Sequence, residues 1–556
     1  MNMLARDIIS MIVQSDVEAI TGAKAVIQTL KNLGVDTIFG YPGGMVLALY
    51  DELYRQKDIK HILVRHEQSA VHAAEGYARA SGKCGVVLVT SGPGATNTVT
   101  GIVNAYLDGY PLIVLAGQVE KNLIGKDSFQ EANICDIVKS CTKAVFQLTD
   151  ASEVENTIIK AYKIATSGKK GPVLIDIAKN IFAQSTPYEN IVNSVKRNYD
   201  LTVRADIERI NELVNNSQKP VIIAGGGINL SNSFNEFKQF VFNFNIPVVS
   251  TMMGLGAFDS DNELYMGMIG IFGDNCANEI LRQSDLILSF GARFNDRITC
   301  MFKHGELENK IIQIDINPVE ISKNIKAKDY VNTDIKDFLL KMNTWGIPVL
   351  KDRNKEWCLK ASKLKLLNKC NCKQSNMLHS FEVIQKLQEY TKDKDVIFTS
   401  EVGQHQLWAV RNLKFSQNRK ILLSGGLGTM GFGLPAAIGA AIAQPNKTVV
   451  CITGDGSLQM SLGELSVCKD YGLNIKILIL NNGYLGMVRQ LQEENFNGRY
   501  SQTKISNPDF IKIAESFGIV AVSVNSANKI EKALNQAFGS NSPYIIDFKT
   551  EPMETL

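Results

Sequence analysis

The sequence predicts an α/β protein of three doubly wound parallel-sheet domains, and three observations carry that expectation. Between Asp16 and Asn180, short β-rich apolar runs (Thr37–Phe39, Val86–Thr90, Leu112–Ala116, Val173–Ile177) alternate with stretches of helical period. That alternation marks a parallel sheet with crossover helices. A second region twice runs an apolar stretch into glycine, at Pro220–Gly227 and Asp285–Arg293, and adds Ile311–Asp315 as a third strand. A third region holds a strand–helix–strand unit: Thr448–Thr453, a helical pattern over Leu462–Tyr471, then Ile475–Leu480. A chain of 556 residues accommodates two to four domains. We place an N-terminal extension at residues 1–15, domains at 16–185, 200–345 and 377–556, and a linker at 346–376. The lysine-rich stretch Lys351–Lys373 within that linker reads as a solvated helix.

Composition narrows the function. Hydrophobic residues make up 45% of the chain and charged residues 21%, with a net charge of +3. These values supply apolar cores and give no basic excess for nucleic acid or a membrane surface. Ten cysteines are scattered, with only Cys370-Asn-Cys372 close together and no pair at zinc-ligand spacing. They read as free thiols in a reducing compartment. Met1–Val13 carries Arg6 and Asp7 in a short apolar run, a poor signal peptide, and no apolar run reaches membrane-spanning length. A cytoplasmic enzyme is expected.

The third region carries the clearest chemistry. Parallel strands joined by one crossover helix open their carboxyl ends on the same crevice. Asp455, in Gly454-Asp455-Gly456-Ser457, and Asn482, in Asn481-Asn482, therefore converge from opposite ends of the unit. A carboxylate and an amide carbonyl are hard oxygen ligands suited to Mg²⁺, whose shell is completed by phosphate oxygens and water. Gly454 and Gly456 let main-chain N–H groups approach an anion. Either motif alone is an ordinary polar turn; together they suggest a metal–diphosphate site. A competing motif, Gly426-Leu-Gly428-Thr-Met-Gly431, fits a dinucleotide-binding turn, with Asp455 as the acid expected on the following strand. Asp455 is better explained as a metal ligand, so the nicotinamide dehydrogenase reading ranks second. Glu67, between His66 and Gln68, reads on its own as an acid favoured at a helix N-terminus. Phe129-Gln130-Glu131 reads equally as a surface turn or as part of a site.

Gly454-Asp455-Gly456 followed at this spacing by Asn481-Asn482 resembles the signature of thiamine-diphosphate enzymes. Within that family the chain is similar to acetolactate synthase catalytic subunits. The matching stretches include Phe39–Gly44, His66–Gln68, Thr90–Asn97, Phe129–Glu131, Gly291–Phe294, Val402–Gln406, Ser424–Gly431 and Leu485–Val488. The resemblance implies two thiamine-diphosphate-binding domains flanking a central Rossmann-like domain. It implies Mg²⁺ ligands at Asp455, Asn482 and the Tyr484 carbonyl, with Gly454, Gly456 and Ser457 around the diphosphate. Glu67 is implied to hydrogen-bond the aminopyrimidine ring and so promote loss of the thiazolium C2 proton. Gln404 and His405 are implied to touch the diphosphate, the Gly428 carbonyl to meet the aminopyrimidine amine, and Met430 to support the bent cofactor. Phe129 and Gln130 would border the substrate pocket, with Gly43 and Lys179 nearby and Met487 and Leu491 lining it for the second keto acid. FAD is implied on the central domain near Thr251, Gly291, Arg293 and Asp315, with Lys169 contributing from the first domain.

The implied reaction, a step of branched-chain amino-acid biosynthesis, decarboxylates pyruvate and joins the two-carbon fragment to a second 2-keto acid, giving 2-acetolactate. Substrates are pyruvate and 2-ketobutyrate, and partners a second copy of the chain (homodimer or homotetramer) and a small regulatory subunit. The chain departs from the family at Ile271-Phe272-Gly273, for a usual Met-His-Gly, and at Lys169 for Arg. It also has Asn295 for Asp, Glu401 for Asp and Leu491 for Trp, and no longer closing tail follows Leu556. These departures bear on FAD and on the second substrate more than on the thiamine chemistry. A flavin-free fermentative acetolactate synthase, a pyruvate oxidase or a decarboxylase shares the same core residues and stays open at this point, as does a non-catalytic protein that kept the fold.

Overall fold

The computed structural model describes residues 18–190, 202–347, 354–366 and 377–556. The expected N-terminal extension, the Cys370-Asn-Cys372 pair and parts of the expected linker lie outside the described residues. The chain falls into two compact units, divided after Lys196.

The first unit is built on six parallel strands in the order Lys60–Leu63, Thr37–Gly40, Gly85–Val89, Leu112–Gln118, Pro172–Ala178, Ala144–Leu148. Its four inner strands Thr37–Gly40, Gly85–Val89, Leu112–Gln118 and Pro172–Ala178 are buried along their whole length. Helices cover both faces of such a sheet, so the strands read as continuous apolar runs instead of alternating. An antiparallel pair, Glu18–Thr21 with Ser185–Tyr188, lies beside it. Helix Gly22–Asn32 starts where Thr21 Oγ1 accepts a hydrogen bond from the Lys24 N–H (3.2 Å). It buries Ala23, Val26, Ile27 and Leu30 at helical spacing.

Helix Glu67–Ser81 also buries charge. Arg79 pairs with Glu75 one turn earlier and with Asp108 Oδ2 (2.6 Å), and all three side chains are sealed from water. Asn104 Nδ2 donates to the second Glu75 oxygen (2.8 Å), and the guanidinium lies 4.1 Å from the Tyr110 ring centroid. Burial pushes the Glu75 carboxyl up, and the adjoining guanidinium opposes that shift.

The second unit carries two more parallel sheets. The central one runs Tyr265–Met268, Val248–Ser250, Pro220–Ala224, Leu286–Phe290, Ile311–Asp315, Asp329–Asn332. Numbered along the chain this is 3-2-1-4-5-6, the dinucleotide-binding order. The last sheet runs Ile421–Leu423, Val396–Ser400, Thr448–Gly454, Ile475–Asn481, Tyr544–Lys549, Val520–Val524. Its order, 2-1-3-4-6-5, is that of the first unit. The two sheets of the second unit meet through Leu255 and Met268, which join the core of the last sheet. Ser260 and Phe415 exchange hydrogen bonds of 3.0 and 3.1 Å across the same boundary.

Two expectations need revising. The crossover after Thr448–Gly454 is broken into helix Asp455–Gln459, a 3₁₀ turn Leu462–Glu464 and helix Leu465–Asp470. Helix therefore begins at Asp455 itself, because the chain turns back over the sheet as soon as the strand ends. Helix Lys355–Leu366 is not a solvated spacer. Trp357 and Ala361 are buried in the central core, and Trp357 Nε1 donates to the Pro220 carbonyl (3.0 Å). Lys355, Lys360 and Lys363 mark its outward face, while Lys365 Nζ turns in to donate to the Tyr265 carbonyl (2.8 Å). No described helix is long and apolar enough to cross a membrane.

Replacing Arg79 by Met leaves Glu75 and Asp108 buried without their cation. Removing one partner of a buried pair typically costs about 3–5 kcal/mol. The variant is expected to lose stability of that order at pH 7 in urea denaturation. Part should return as the pH falls, because the stranded carboxylates then take up protons in the folded state. Wild-type stability at pH 7 would contradict the pairing.

Candidate active site

In the second unit the site grows from the carboxyl ends of four neighbouring strands of the last sheet. Val396–Ser400 leads through Glu401 and Gly403 into helix Gln404–Asn412, which carries Gln404 and His405. Ile421–Leu423 leads to the loop with Gly428 and Met430. Thr448–Gly454 ends at Asp455, Gly456 and Ser457. Ile475–Asn481 ends at Asn482 and Tyr484 and continues into helix Gly486–Phe496, with Met487 and Leu491 one turn apart. Gly454 and Leu480 are register partners, so Asp455 and Asn482 leave adjacent strand ends.

Asp455 is 2% exposed. Its Oδ2 accepts from the Gly483 N–H (2.8 Å) and from Asn507 Nδ2 (2.6 Å). Burial pushes this carboxyl up, and the amide of Asn507 and the N–H groups of Gly483, Gly456 and Asp455 pull it back. All of these groups are neutral, so a buried carboxylate faces the loop with no cation supplied by the described protein. Asn482 Oδ1 accepts from the Tyr484 N–H (3.0 Å), and its Nδ2 lies 3.4 Å from Gln404 Oε1. The Asn482 oxygen is thereby turned toward the same loop with a lone pair to spare. Among the described residues no group of three His, Cys, Asp or Glu side chains is placed to hold a metal. The donor set here is one carboxylate, one amide and main-chain oxygens, which fits a hard ion that keeps phosphate and water in its shell.

Close approach governs the rest of the crevice. A Cβ on Gly454 would stand 2.8 Å from His405 Nδ1, and one on Gly456 would stand 3.0 Å from Leu485 Cδ2. Met430 Cε is 3.9 Å from that second position, so Met430 and Leu485 converge over Gly456. His405 Nε2 lies 3.3 Å from Glu401 Oε1 but off the line of a hydrogen bond. Glu401 itself is held by the Gly433 N–H (2.6 Å) and the Thr453 hydroxyl. The dinucleotide reading of Gly426–Gly431 fails on topology. That loop follows the edge strand Ile421–Leu423, and Val396–Ser400 separates this strand from the one ending at Asp455.

In the first unit, the expected residues also stand at carboxyl strand ends. Gly43 follows Thr37–Gly40, Glu67 follows Lys60–Leu63, the loop with Phe129 and Gln130 follows Leu112–Gln118, and Lys179 follows Pro172–Ala178. Glu67 is half-buried at the first position of its helix, and Asn97 Nδ2 donates to its Oε2 (2.9 Å). Asn97 ends the glycine turn Ser91–Asn97. At the start of that turn, a Cβ on Gly92 would stand 2.7 Å from the Gln130 carbonyl oxygen. Gly43 packs as tightly on Thr90. Thr90 and the turn that follows it thus link Glu67, Gly43 and Gln130. The Phe129 loop is a built structure: Glu131 accepts main-chain hydrogen bonds from Gly125, Lys126 and Ser128, which hold its carboxyl below the usual range. Phe129 is 84% exposed on it. Lys179 is exposed, and Lys169 Nζ lies 5.0 Å from the Tyr106 ring centroid.

On the central sheet, Thr251, Gly291 and Asp315 occupy carboxyl strand ends, and half-buried Arg293 follows Gly291. The switch point of the 3-2-1-4-5-6 order lies between Pro220–Ala224 and Leu286–Phe290. There Gly225 and Gly227 meet Gly291 (φ +58°) so closely that a Cβ on Gly225 would stand 2.3 Å from the Gly291 carbonyl oxygen. A backbone cradle flanked by a hydroxyl, a guanidinium and a carboxylate fits a flavin dinucleotide. Phe272 packs on the core of the last sheet, offering an aromatic face where the family usually has His.

Profiles of known families match all three sheets. The N-terminal thiamine-pyrophosphate-binding domain matches residues 20–138, the central domain of the same enzymes 207–342, and the C-terminal thiamine-pyrophosphate-binding domain 401–548. The acetolactate synthase large subunit of Haemophilus influenzae is 40% identical over 550 residues, covering 96% of this chain and 95% of that protein. That of Lactococcus lactis is 41% identical, covering 95% and 92%. The isozyme 2 large subunit of Escherichia coli is 37% identical, covering 96% of each chain. The chain belongs to the acetolactate synthase large-subunit family. Membership makes it a thiamine-diphosphate enzyme, and the shared 2-1-3-4-6-5 order of its outer sheets gives that family's two cofactor-binding domains their common form.

Sequence reasoning missed several residues that hold this family's site together. Asn507 and Gln459 brace Asp455, and Asn97 holds Glu67. Gln118 Nε2 ties the Phe129 loop at Ala132 (3.0 Å) to Asp176 Oδ2 (3.2 Å). Each is a polar residue whose long-range partner leaves no mark on local pattern.

Asp176 is fully buried beside Gln118, Gln147 and the Cys135 thiol, and burial pushes its carboxyl up to about 6. A folded-state value above the unfolded one means that ionisation disfavours the fold. The cost is absent below pH 4, grows between pH 4 and 6 and is complete above. Asp176→Asn should therefore gain up to about 3 kcal/mol over wild type at pH 7.5 and nothing at pH 4. Parallel urea-stability profiles for the two proteins across that range would refute this.

Proposed function

We propose that this chain is the catalytic subunit of an acetolactate synthase. It decarboxylates pyruvate and joins the two-carbon fragment to a second 2-keto acid, releasing 2-acetolactate. The observation that carries the reading is the convergence of a buried, cation-free Asp455 with Asn482 on adjacent strand ends, in a chain matching this family along nearly its whole length. Thiamine diphosphate supplies the nucleophilic carbon and accepts electrons as CO₂ leaves.

The chain's own residues bind, orient and move protons. Asp455, Asn482 and the Tyr484 carbonyl would hold Mg²⁺, whose charge would offset a diphosphate faced by Gln404, His405 and the N–H groups beside Gly454, Gly456 and Ser457. Met430 would support the cofactor, and the Gly428 carbonyl would meet its aminopyrimidine amine. Glu67, steadied by Asn97, holds the proton exchanged with the aminopyrimidine. Each unit offers residues to the keto acid: Gly43, Phe129, Gln130 and Lys179 in the first, Met487 and Leu491 in the second. FAD would take the glycine cradle of the central sheet, near Thr251, Gly291, Arg293 and Asp315. The active assembly is a homodimer or homotetramer in the cytoplasm, with a small regulatory subunit, serving branched-chain amino-acid synthesis.

Product analysis tests the reaction. With [2-¹³C]pyruvate, Mg²⁺, thiamine diphosphate and FAD, the protein is expected to yield acetolactate by NMR. Acetaldehyde or acetyl phosphate as the main product would replace this reading with a decarboxylase or an oxidase. Glu67→Gln should keep the fold and bind the cofactor, yet slow C2 hydrogen exchange by ~10²–10⁴-fold, the usual worth of general acid–base help. Unchanged exchange would remove Glu67 from that role.

Leu491 bears on the second substrate. It is 44% exposed on helix Gly486–Phe496, one turn beyond Met487, so it does not fill the core. Leu lacks the flat indole of the family's usual Trp, against which the extra methyl of 2-ketobutyrate packs. One methylene in an apolar pocket is worth about 1–3 kcal/mol. The unmodified protein should use pyruvate and 2-ketobutyrate nearly in proportion to their concentrations, and Leu491→Trp should shift products toward 2-aceto-2-hydroxybutyrate. A strong 2-ketobutyrate preference in the unmodified protein would assign specificity elsewhere.

A further inference from the structure

Asn507 lies outside every motif that marks the site, in the irregular segment just before helix Phe510–Ser516. Its single amide nitrogen spans two strand-end loops, donating to Asp455 Oδ2 (2.6 Å) and to Asn481 Oδ1 (2.9 Å). Its oxygen accepts from Gln459 Nε2 (2.9 Å). Asn481 in turn donates through Nδ2 to Asp547 Oδ1 (2.9 Å), whose other oxygen pairs with Lys549 (2.6 Å).

The polarity of this chain is forced from both ends. Asp547 accepts only, so Asn481 must present nitrogen to it and oxygen to Asn507. Asp455, when ionised, also accepts only. Asn507 must therefore present its NH₂ to both oxygens and its carbonyl to Gln459. An NH₂ group facing the carboxylate cannot ligate a cation. It can fix which way the carboxylate turns and keep Oδ2 occupied, leaving the other oxygen as the directed ligand.

We propose that Asn507, braced by Gln459, is the positioning residue that orients Asp455 for the divalent cation. The inference rests on the metal reading above. Groups that orient a metal ligand typically cost ~10–100-fold in metal affinity when removed.

The test uses Mn²⁺ as the probe, with its binding followed by electron paramagnetic resonance in the presence of thiamine diphosphate and no keto acid. Asn507→Ala is expected to weaken Mn²⁺ binding ~10–100-fold, while the metal-free melting temperature stays near that of the unmodified protein. Gln459→Leu should weaken it in the same direction but less, and Asp455→Ala should abolish it. Unchanged Mn²⁺ affinity in folded Asn507→Ala protein overturns the inference. If that variant does not fold, Gln459→Leu decides: a several-fold loss supports the brace, and wild-type affinity overturns it. If the unmodified protein takes up no Mn²⁺ with thiamine diphosphate, the metal reading itself fails, a result distinct from a silent Asn507 variant beside an inactive Asp455 variant.

Discussion

A carboxylate removed from water with only neutral groups around it is the constraint on which the rest of this structure turns. Asp455 sits at the end of a buried strand, held by the Asn507 amide and main-chain N–H groups, none of which cancels its charge. Burying an ion without a partner costs several kcal/mol even after relaxation. Such a group persists when its partner is a ligand. The geometry around it follows from that need: glycines on both sides, an amide oxygen from the next strand, and a histidine ring that passes only because residue 454 lacks a Cβ.

The parallel sheet makes that geometry cheap to build. Within each of the three main sheets every strand points the same way, so its carboxyl-end loops open on one edge of that sheet. In the last sheet that edge gathers Gln404, His405, Met430, Asp455 and Asn482. In the first unit the same strand order gathers Gly43, Glu67, Gln130 and Lys179. One architecture is thus used twice with different residues. The central sheet, with its 3-2-1-4-5-6 order, places a glycine cradle at its switch point instead.

Much of this was legible in the sequence, for physical reasons. Inner strands such as Leu112–Gln118 and Ile475–Asn481 are covered on both faces, so they read as unbroken apolar runs. Edge strands did not read as well: Lys60–Leu63 and Val520–Val524 are partly exposed and short of continuous apolar residues. Asp455 and Asn482 were readable because a strand–helix–strand unit places its two ends together without knowledge of the rest of the chain. Asn507, Gln459, Asn97 and Gln118 were not, because their roles come from partners brought near only by the tertiary fold. The helix Lys355–Leu366 was misread because its lysines dominate its composition, while two small stretches of its surface, at Trp357 and Ala361, decide where it packs. The GxGxxG motif misleads for a related reason. The spacing of its glycines says nothing about which strands are neighbours.

The central claim is that the charge of Asp455 is completed by a divalent cation shared with a diphosphate. Calorimetric titration of thiamine diphosphate into the metal-free protein, with and without added Mg²⁺, tests it most directly. The account predicts saturable binding with Mg²⁺ and its loss in excess EDTA. Binding of equal affinity in EDTA would contradict it.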